Sequence, residues 1–358
     1  MAGSPYASSL GRLKAHTGEF LPKDAYGPLT NATDVSEITK LLEPSSYGPA
    51  IALEAASYQG AALLEIAINR TFVRRNRLAL DSTPFAGKTT VALYLRRWDL
   101  QNISLILSAK ALQRPVSETE VFLVSSRDAP AGFFAGSMTL DDFRLLLQQP
   151  TLEAVAQALT PFGYGGILLP LLDAYERSHD IFPLQLALEK DYYARLHEAA
   201  RFFQGDEWVV RRFIQSEIDQ RNVLLLLKAR DAEVPPEEVE RRFLDGGSMP
   251  RTLLGELSTA RTVPELVNAL AERYPALPDG TPTYTVSRTL TGYEAALSRE
   301  RALTELRRMR SFPLALAMTF VYLFLADLER TDLRRIIYGR LYGLSNDAIA
   351  DSLVVPRL

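Results

Sequence analysis

The chain is predicted to be all-α and built from three related helical units. Three observations carry this. One helical pattern occurs three times, a second segment recurs in the same order ahead of each copy, and no stretch alternates like a strand for long. The first pattern is WDLQNISLILSAK at 98–110, matched by IDQRNVLLLLKAR near residue 219 and ERTDLRRIIYGR near residue 329. The copies share an acid (Asp99, Asp219, Glu329), then an amide or acid three residues on (Asn102, Asn222, Asp332). An apolar residue, paired aliphatics, a small residue and a base (Lys110, Arg230, Arg340) follow. Counted from the acid, these positions fall on one face of an α-helix, so what recurs is a helix with a fixed buried stripe.

In chain order, a short helical candidate at 8–16 precedes the first unit. DVSEITKLLEPSSYG (34–48), TLEAVAQALTPFGYG (151–165) and TVPELVNALAERY (262–274) then form the second recurring segment. Each opens on an N-cap residue, Asp34, Thr151 or Thr262. Each runs as an amphipathic helix to Leu42, Leu159 or Leu270 and reaches a tyrosine: Tyr47, Tyr164 or Tyr274. Pro-Ser-Ser and Pro-Phe-Gly end the first two helices. A weaker middle segment starts at Leu64, Leu184 and Tyr293, each with an aliphatic four residues later. Gly136-Ser137-Met138 is echoed by Gly247-Ser248-Met249, thirteen residues before a recurring N-cap, where Leu21 holds the same position in the first unit.

These segments divide the chain into a lead-in at 1–17 and units at 18–135, 136–246 and 247–358, each of five or six helices. The first unit carries a longer tail at 125–130. VFLVSS at 121–126 is the best strand candidate and stands alone. The units exceed common solenoid repeats, so each is closer to a small domain. Three equivalent head-to-tail contacts either climb as an open superhelix or close around an axis; the repeat leaves both open.

Composition bounds the function. The chain has 358 residues, 47% hydrophobic and 23% charged, with net charge −3. That is ordinary for a soluble globular protein and offers no electrostatic footprint for nucleic acid or anionic lipid. Absence of cysteine excludes disulfides, thiolate metal sites and a cysteine nucleophile. The N-terminus has no signal-peptide core. The most apolar run, 312–326, is shorter than the roughly 20 residues a membrane span needs. It reads as a buried helix with Pro313 in its first turn.

Candidate chemistry is sparse. STPFAGKTT at 82–90 matches the end of a phosphate-binding loop at Gly87, Lys88 and Thr89, but Ser82 replaces the first glycine and no buried strand precedes it. In register it is the lead into the first recurring helix. The three histidines show no metal-ligand spacing, and no serine sits in a nucleophile elbow. No cofactor is expected. Glu237, Glu238 and Glu240 after Pro235-Pro236 read as a helix start. The recurring set Asp99, Asn102, Lys110, Asp219, Asn222, Arg230, Glu329, Asp332 and Arg340 is expected to be structural, its acids binding backbone or arginine across a unit boundary. Asp332 already breaks any strict threefold polar site.

The segments at 6–21, 34–48, 96–115, 216–230 and 329–349, taken with the triplication, resemble the C subunit of the prokaryotic V/A-type rotary ATPases, whose vacuolar counterpart is called the d subunit. The likeness covers nearly the whole chain; the loop at 82–90 and the insertion at 125–130 stand outside it. The resemblance implies a funnel of three helical units around a pseudo-threefold axis. It implies a non-catalytic rotor component on the cytoplasmic face of the membrane, joining the proteolipid ring to the D and F subunits of the central shaft. Proton or sodium flow would thereby share one rotation with ATP synthesis or hydrolysis. Two rival readings are a free-standing helical scaffold for peptides and a nucleotide-dependent enzyme using Gly87-Lys88-Thr89. Moving one charge across 100 mV releases about 2.3 kcal/mol, whereas an isolated surface ion pair contributes about 0–1 kcal/mol. A coupler must therefore spread its load over packed helices.

Overall fold

The computed structural model of the chain describes residues 5–124, 138–201 and 203–358, and among these there are helices and no strands. The segment at 121–124 is a turn; the rest of the strand candidate and the tail at 125–130 lie outside the described residues. After α1 (Ala7–Ala15), one order of elements occurs three times. A short helix pair comes first: α2 (Tyr26–Asn31) and α3 (Val35–Leu42), α9 (Leu140–Gln148) and α10 (Leu152–Ala158), α16 (Arg251–Ser258) and α17 (Val263–Leu270). Shorter pieces follow: α4 (Gly48–Glu54), then α11 (Gly165–Leu168) with α12 (Leu172–Ser178), then α18 (Thr281–Ser287). A long helix is next: α5 (Gly60–Ser82), α13 (Phe182–Ala200), α19 (Thr291–Arg310). The recurring helix follows, as α6 (Phe85–Leu95) plus α7 (Arg97–Ala111), α14 (Trp208–Asp231) and α20 (Ala317–Leu341). A short helix closes each round: α8 (Val116–Glu120), α15 (Pro236–Glu240), α21 (Asn346–Ser352). The split of α6 from α7 and of α11 from α12 makes the helices more numerous than the five or six per unit that periodicity predicts.

Local chemistry explains the boundaries. The side chains of Asp34, Thr151 and Thr262 accept the backbone N–H of Glu37, Ala154 and Glu265, which satisfies one orphan donor of each helix start. The recurring helices end alike. Gln113, Glu233 and Gly343 take left-handed φ of 52°, 55° and 73°. The next residue's N–H reaches back to the carbonyl of Ala109, Ala229 or Gly339, a Schellman closure. Two expectations are corrected. Residues 312–316 form turns, and α20 begins only at Ala317, so Pro313 lies before the helix and not in its first turn. Residues 82–90 are not a loop: α5 ends at Ser82, Thr83-Pro84 turns, and α6 starts at Phe85.

Packing runs across the units. Leu333, Ile336 and Ile337 of α20 share a core with Ile38, Leu42, Leu64 and Ile68 of α3 and α5. Val223, Leu226 and Leu227 of α14 share one with Leu266, Val267, Tyr293 and Leu297 of α17 and α19. Ile103, Ile106 and Leu107 of α7 belong to a third, larger core with Val155, Leu184 and Leu188. Each such side chain contributes about 1.5–3 kcal/mol by leaving water. The recurring helix thus buries its stripe against the short helices of the following round, and the third round packs back on the first.

Candidate functional site

The recurring bases sit at the three seams and perform the same task in each, whereas the amide and acid positions do not all do so. The base comes first. Lys110 Nζ donates to the carbonyl of Leu147. Arg230 Nη1 donates to Ala260 O at 3.0 Å, and Arg340 Nη2 to Thr30 O at 2.7 Å. Leu147 and Thr30 lie in the last turns of α9 and α2, where helix carbonyls lack partners and the helix dipole favours a cation, and Ala260 lies two residues past α16. Burial pulls the Lys110 ammonium below its ordinary range.

The amide position grips its own round. Asn102 exchanges two hydrogen bonds with Val124, at 3.1 and 2.8 Å. Asn222 does the same with Leu244, at 2.8 and 2.9 Å. In the third copy Asp332 Oδ2 accepts the N–H of Val354 and of Val355, at 2.9 and 2.7 Å, while Arg335 faces Oδ1 at 3.1 Å. A carboxylate has no donor, so the third copy holds two N–H groups where an amide holds one N–H and one C=O.

The acid position reaches the next round's first residues. Asp219 accepts Met249 N–H at 3.0 Å and Ser248 Oγ–H at 2.5 Å. Glu329 accepts Leu21 N–H at 2.7 Å, Tyr47 O–H at 2.6 Å and Arg75 Nη1 at 2.7 Å. Leu21 and Met249 are the residues thirteen before the recurring N-caps. Asp99 is fully buried and its two oxygens have no hydrogen-bond partner among the described residues; burial pushes its carboxyl well above the carboxylate range, against the pull of Arg96. The recurring tyrosines complete the pattern. Burial and then the charge of Glu329 raise Tyr47; burial and then Asp99 push Tyr164 up to about 12; burial and then Asp219 push Tyr274 up to about 12. Each acid is thus the neighbour of the tyrosine of the round that follows, the first following the third.

The sequence patterns did not single out the point where the recurring helices meet. Two residues before each acid stand Arg97, Glu217 and Asp327. Arg97 Nη1 donates to Glu217 at 3.0 Å and its Nη2 lies 3.8 Å from Asp327. Arg301 Nη2 and Tyr193 O–H also reach Glu217, at 3.1 and 2.6 Å. Burial lifts the Glu217 carboxyl, and Arg97, Arg301 and Arg221 outweigh it, leaving a value of about 2. Nearer the starts of these helices, Tyr94, Phe213 and Phe320 meet edge to face or tilted, with centroids 5.0–5.9 Å apart. The available signal was opposite charge at one register of the three recurring helices.

The seams differ in filling. A 360 Å³ cleft beside Asp219 is lined by Arg212, Ser248, Arg273 and Thr304. In the same register at the closing seam stand Tyr322, Phe20 and Arg75; the Phe20 and Tyr322 rings pack 5.2 Å apart and the Arg75 guanidinium lies over Phe20.

The phosphate-loop match makes no cradle. Gly87 and Lys88 spend their N–H groups on Pro84 O, and a Cβ on Gly87 would lie 2.6 Å from Leu316. Among the described residues no His, Asp and Glu cluster is arranged to hold a metal, and no helix is long and apolar enough to cross a membrane.

The family profile described as ATP synthase (C/AC39) subunit matches residues 10–352. The C subunit of the A-type ATP synthase of Thermoplasma acidophilum is 31% identical, over 99% of this chain and 99% of its own. That of Thermoplasma volcanium is 31% identical over 98% of each chain, and that of Methanosarcina mazei 26% identical over 98% of this chain and 93% of its own. With a profile match spanning almost its whole length and relatives of matching extent, the chain belongs to the ATP synthase (C/AC39) subunit family.

Proposed function

We propose that this chain is the central-stalk rotor component of an A/V-type ATP synthase. As a member of its family it is an accessory part of the complex and not a catalytic one. In this reading it sits on the cytoplasmic face of the membrane and joins the proteolipid ring to the D and F subunits of the central shaft. Proton or sodium flow and ATP turnover then share one rotation. The units at 18–135, 136–246 and 247–358 form a funnel around a pseudo-threefold axis.

One observation carries the reading: the repeat closes on itself. The third acid holds the first unit's Leu21, and Arg97 meets the residues of identical register in the other two recurring helices. An open superhelix would leave the first and third units apart. A closed collar transmits torque without a free end, and its seams bury their polar grips, where ion pairs are screened far less than at a surface.

Cross-linking tests it, helped by a chain that contains no cysteine. A single introduced cysteine joined to a proteolipid should leave ATP-driven ion pumping intact, because both parts turn together. The same cysteine joined to a stator component should stop pumping. Pumping that fails with the proteolipid cross-link would refute the rotor role.

A further inference from the structure

The 360 Å³ cleft at the second seam lies between α14 and α19. The two helices run antiparallel there. Gln220 Nε2 donates to Ser298 at 3.2 Å, and Arg301 Nε donates to Ser216, one turn earlier on α14, at 3.3 Å. Arg212, a further turn towards the start of α14, therefore lies opposite Thr304 and Arg308 near the end of α19, and all three line the cleft. Ser248 and Arg273 line its other end, beside Asp219. In register, the closing seam puts Tyr322 where Arg212 stands, Phe20 where Ser248 stands and Arg75 where Thr304 stands. Those three side chains pack on one another. The opening at the second seam thus comes from its own side chains, a cation and two hydroxyls in place of two rings and a guanidinium.

The walls hold hydrogen-bonding capacity that the fold leaves unspent. Arg212 has five N–H donors, and among the described residues it bonds only Gln215 Oε1, at 3.4 Å. Arg308 spends one donor on Glu305 Oε1, at 2.7 Å. Glu305 is 2% exposed, and its Oε2 has no hydrogen-bond partner among the described residues. A buried carboxylate oxygen without a donor is costly. Four arginines line the cleft against three carboxylates. Two guanidiniums and a hydroxyl at one end call for an anion with several acceptor oxygens. One bidentate guanidinium satisfies a carboxylate, whereas a phosphate monoester presents three oxygens and close to two charges. The Glu305 oxygen beside them calls for a donor on the same molecule. Leu297 gives an apolar wall to its body. The volume falls within the range of about 300–1,000 Å³ typical of small-molecule sites.

We propose that this cleft binds a small organic phosphate bearing hydroxyl or amino donors, with the phosphate between Arg212 and Arg308 at Thr304 and one donor on Glu305.

Calorimetric titration of the full chain with AMP, ribose 5-phosphate, inorganic phosphate and succinate tests this. AMP or ribose 5-phosphate should bind about tenfold or more tighter than either inorganic phosphate or succinate. Arg212 and Thr304 are exposed, so substitutions there should leave the unfolding midpoint unchanged. Arg212→Ala should weaken binding of the organic phosphate about tenfold or more. Thr304→Trp, which fills the cleft, should abolish it. Glu305→Gln should narrow the gap between organic and inorganic phosphate, because only the organic one uses the Glu305 acceptor. Arg310→Ala, at an exposed arginine outside this cleft, should change nothing. Organic phosphates that bind no better than inorganic phosphate or succinate overturn the proposal. So does binding that survives both Arg212→Ala and Thr304→Trp, or that falls as far in Arg310→Ala, which marks general charge attraction.

Discussion

The backbone N–H of Leu21 donates to the carboxylate of Glu329 at 2.7 Å, across 308 residues of chain. Of the three seams, this one alone joins rounds that are not consecutive in the chain. It is also densely gripped. Besides Glu329, Glu65 takes Arg334 Nε and Tyr338 O–H, each at 3.0 Å, and Arg330 Nε reaches Asn69 at 2.8 Å. At the seam with Asp99 no acid grip is present among the described residues, and its two sides are consecutive in the chain.

Glu329 and Arg75 are each 1% exposed and 2.7 Å apart. Removing one partner of such a pair strands a buried charge, so Glu329→Gln should cost about 3–5 kcal/mol in urea unfolding. Adding Arg75→Met should recover part of that loss. A loss under about 1 kcal/mol for the single variant would show that this pair does not hold the seam.

The exchange of amide for acid at Asp332 should be irreversible in both directions. Asp332→Asn turns a donor toward Arg335 and weakens the hold on Val354 and Val355. Asn222→Asp leaves the carbonyl of Leu244 without its donor and buries a charge. Each should cost about 1–3 kcal/mol, read from denaturant midpoints; equal tolerance of Asn and Asp at both positions would contradict the assigned bonds.

Two buried carboxyls should set opposite pH slopes. Glu217 has a folded value of about 2, below the roughly 4.3 of an unfolded glutamate. Its stabilisation is therefore present above that unfolded value and lost as pH falls toward the folded one. Glu217→Gln should flatten the acid limb of stability in that window. Asp99 is raised by burial. Its folded form carries no penalty below about 3.9, an increasing one from there up to its folded value, and a constant one above that. Asp99→Asn should thus stabilise the chain at pH 7, with the gain vanishing on acidification. Unfolding curves across pH measure both, and a gain for Asp99→Asn that is equal at acid and neutral pH would contradict the second.

The left-handed closures at Gln113 and Glu233 use residues with a Cβ where the third copy has Gly343. A Cβ there costs about 1–2 kcal/mol, offset in part by glycine's extra freedom when unfolded. Gln113→Gly and Glu233→Gly should each raise stability by up to about 1 kcal/mol, and Gly343→Ala should lower it by about as much. Thermal midpoints of the three variants decide the matter.

Much was legible in the sequence because the relevant physics is local. Period 3.6, the N-caps Asp34, Thr151 and Thr262, and the recurring acid, amide and base depend on neighbours a few residues away. Repetition then separated pattern from accident. Where cues were weak, sequence reasoning misplaced boundaries: Pro313 looked like the first turn of a helix, and 82–90 looked like a loop. What covers each polar group was beyond it, since hydrogen-bond partners such as Glu329 and Leu21 are set by how the rounds close, a choice that the repeat left open between arc and ring. The charged meeting of Arg97 with Glu217 and Asp327 is likewise a tertiary product, because residues this far apart in the chain become neighbours only when the three helices pack together. The sequence by itself determined the helices, their buried faces and the threefold copying; the tertiary structure decided that the bases, with Asp219 and Glu329, are spent on the adjoining round and that the last round is adjoined by the first, because such partners are set by packing and not by neighbours in the chain.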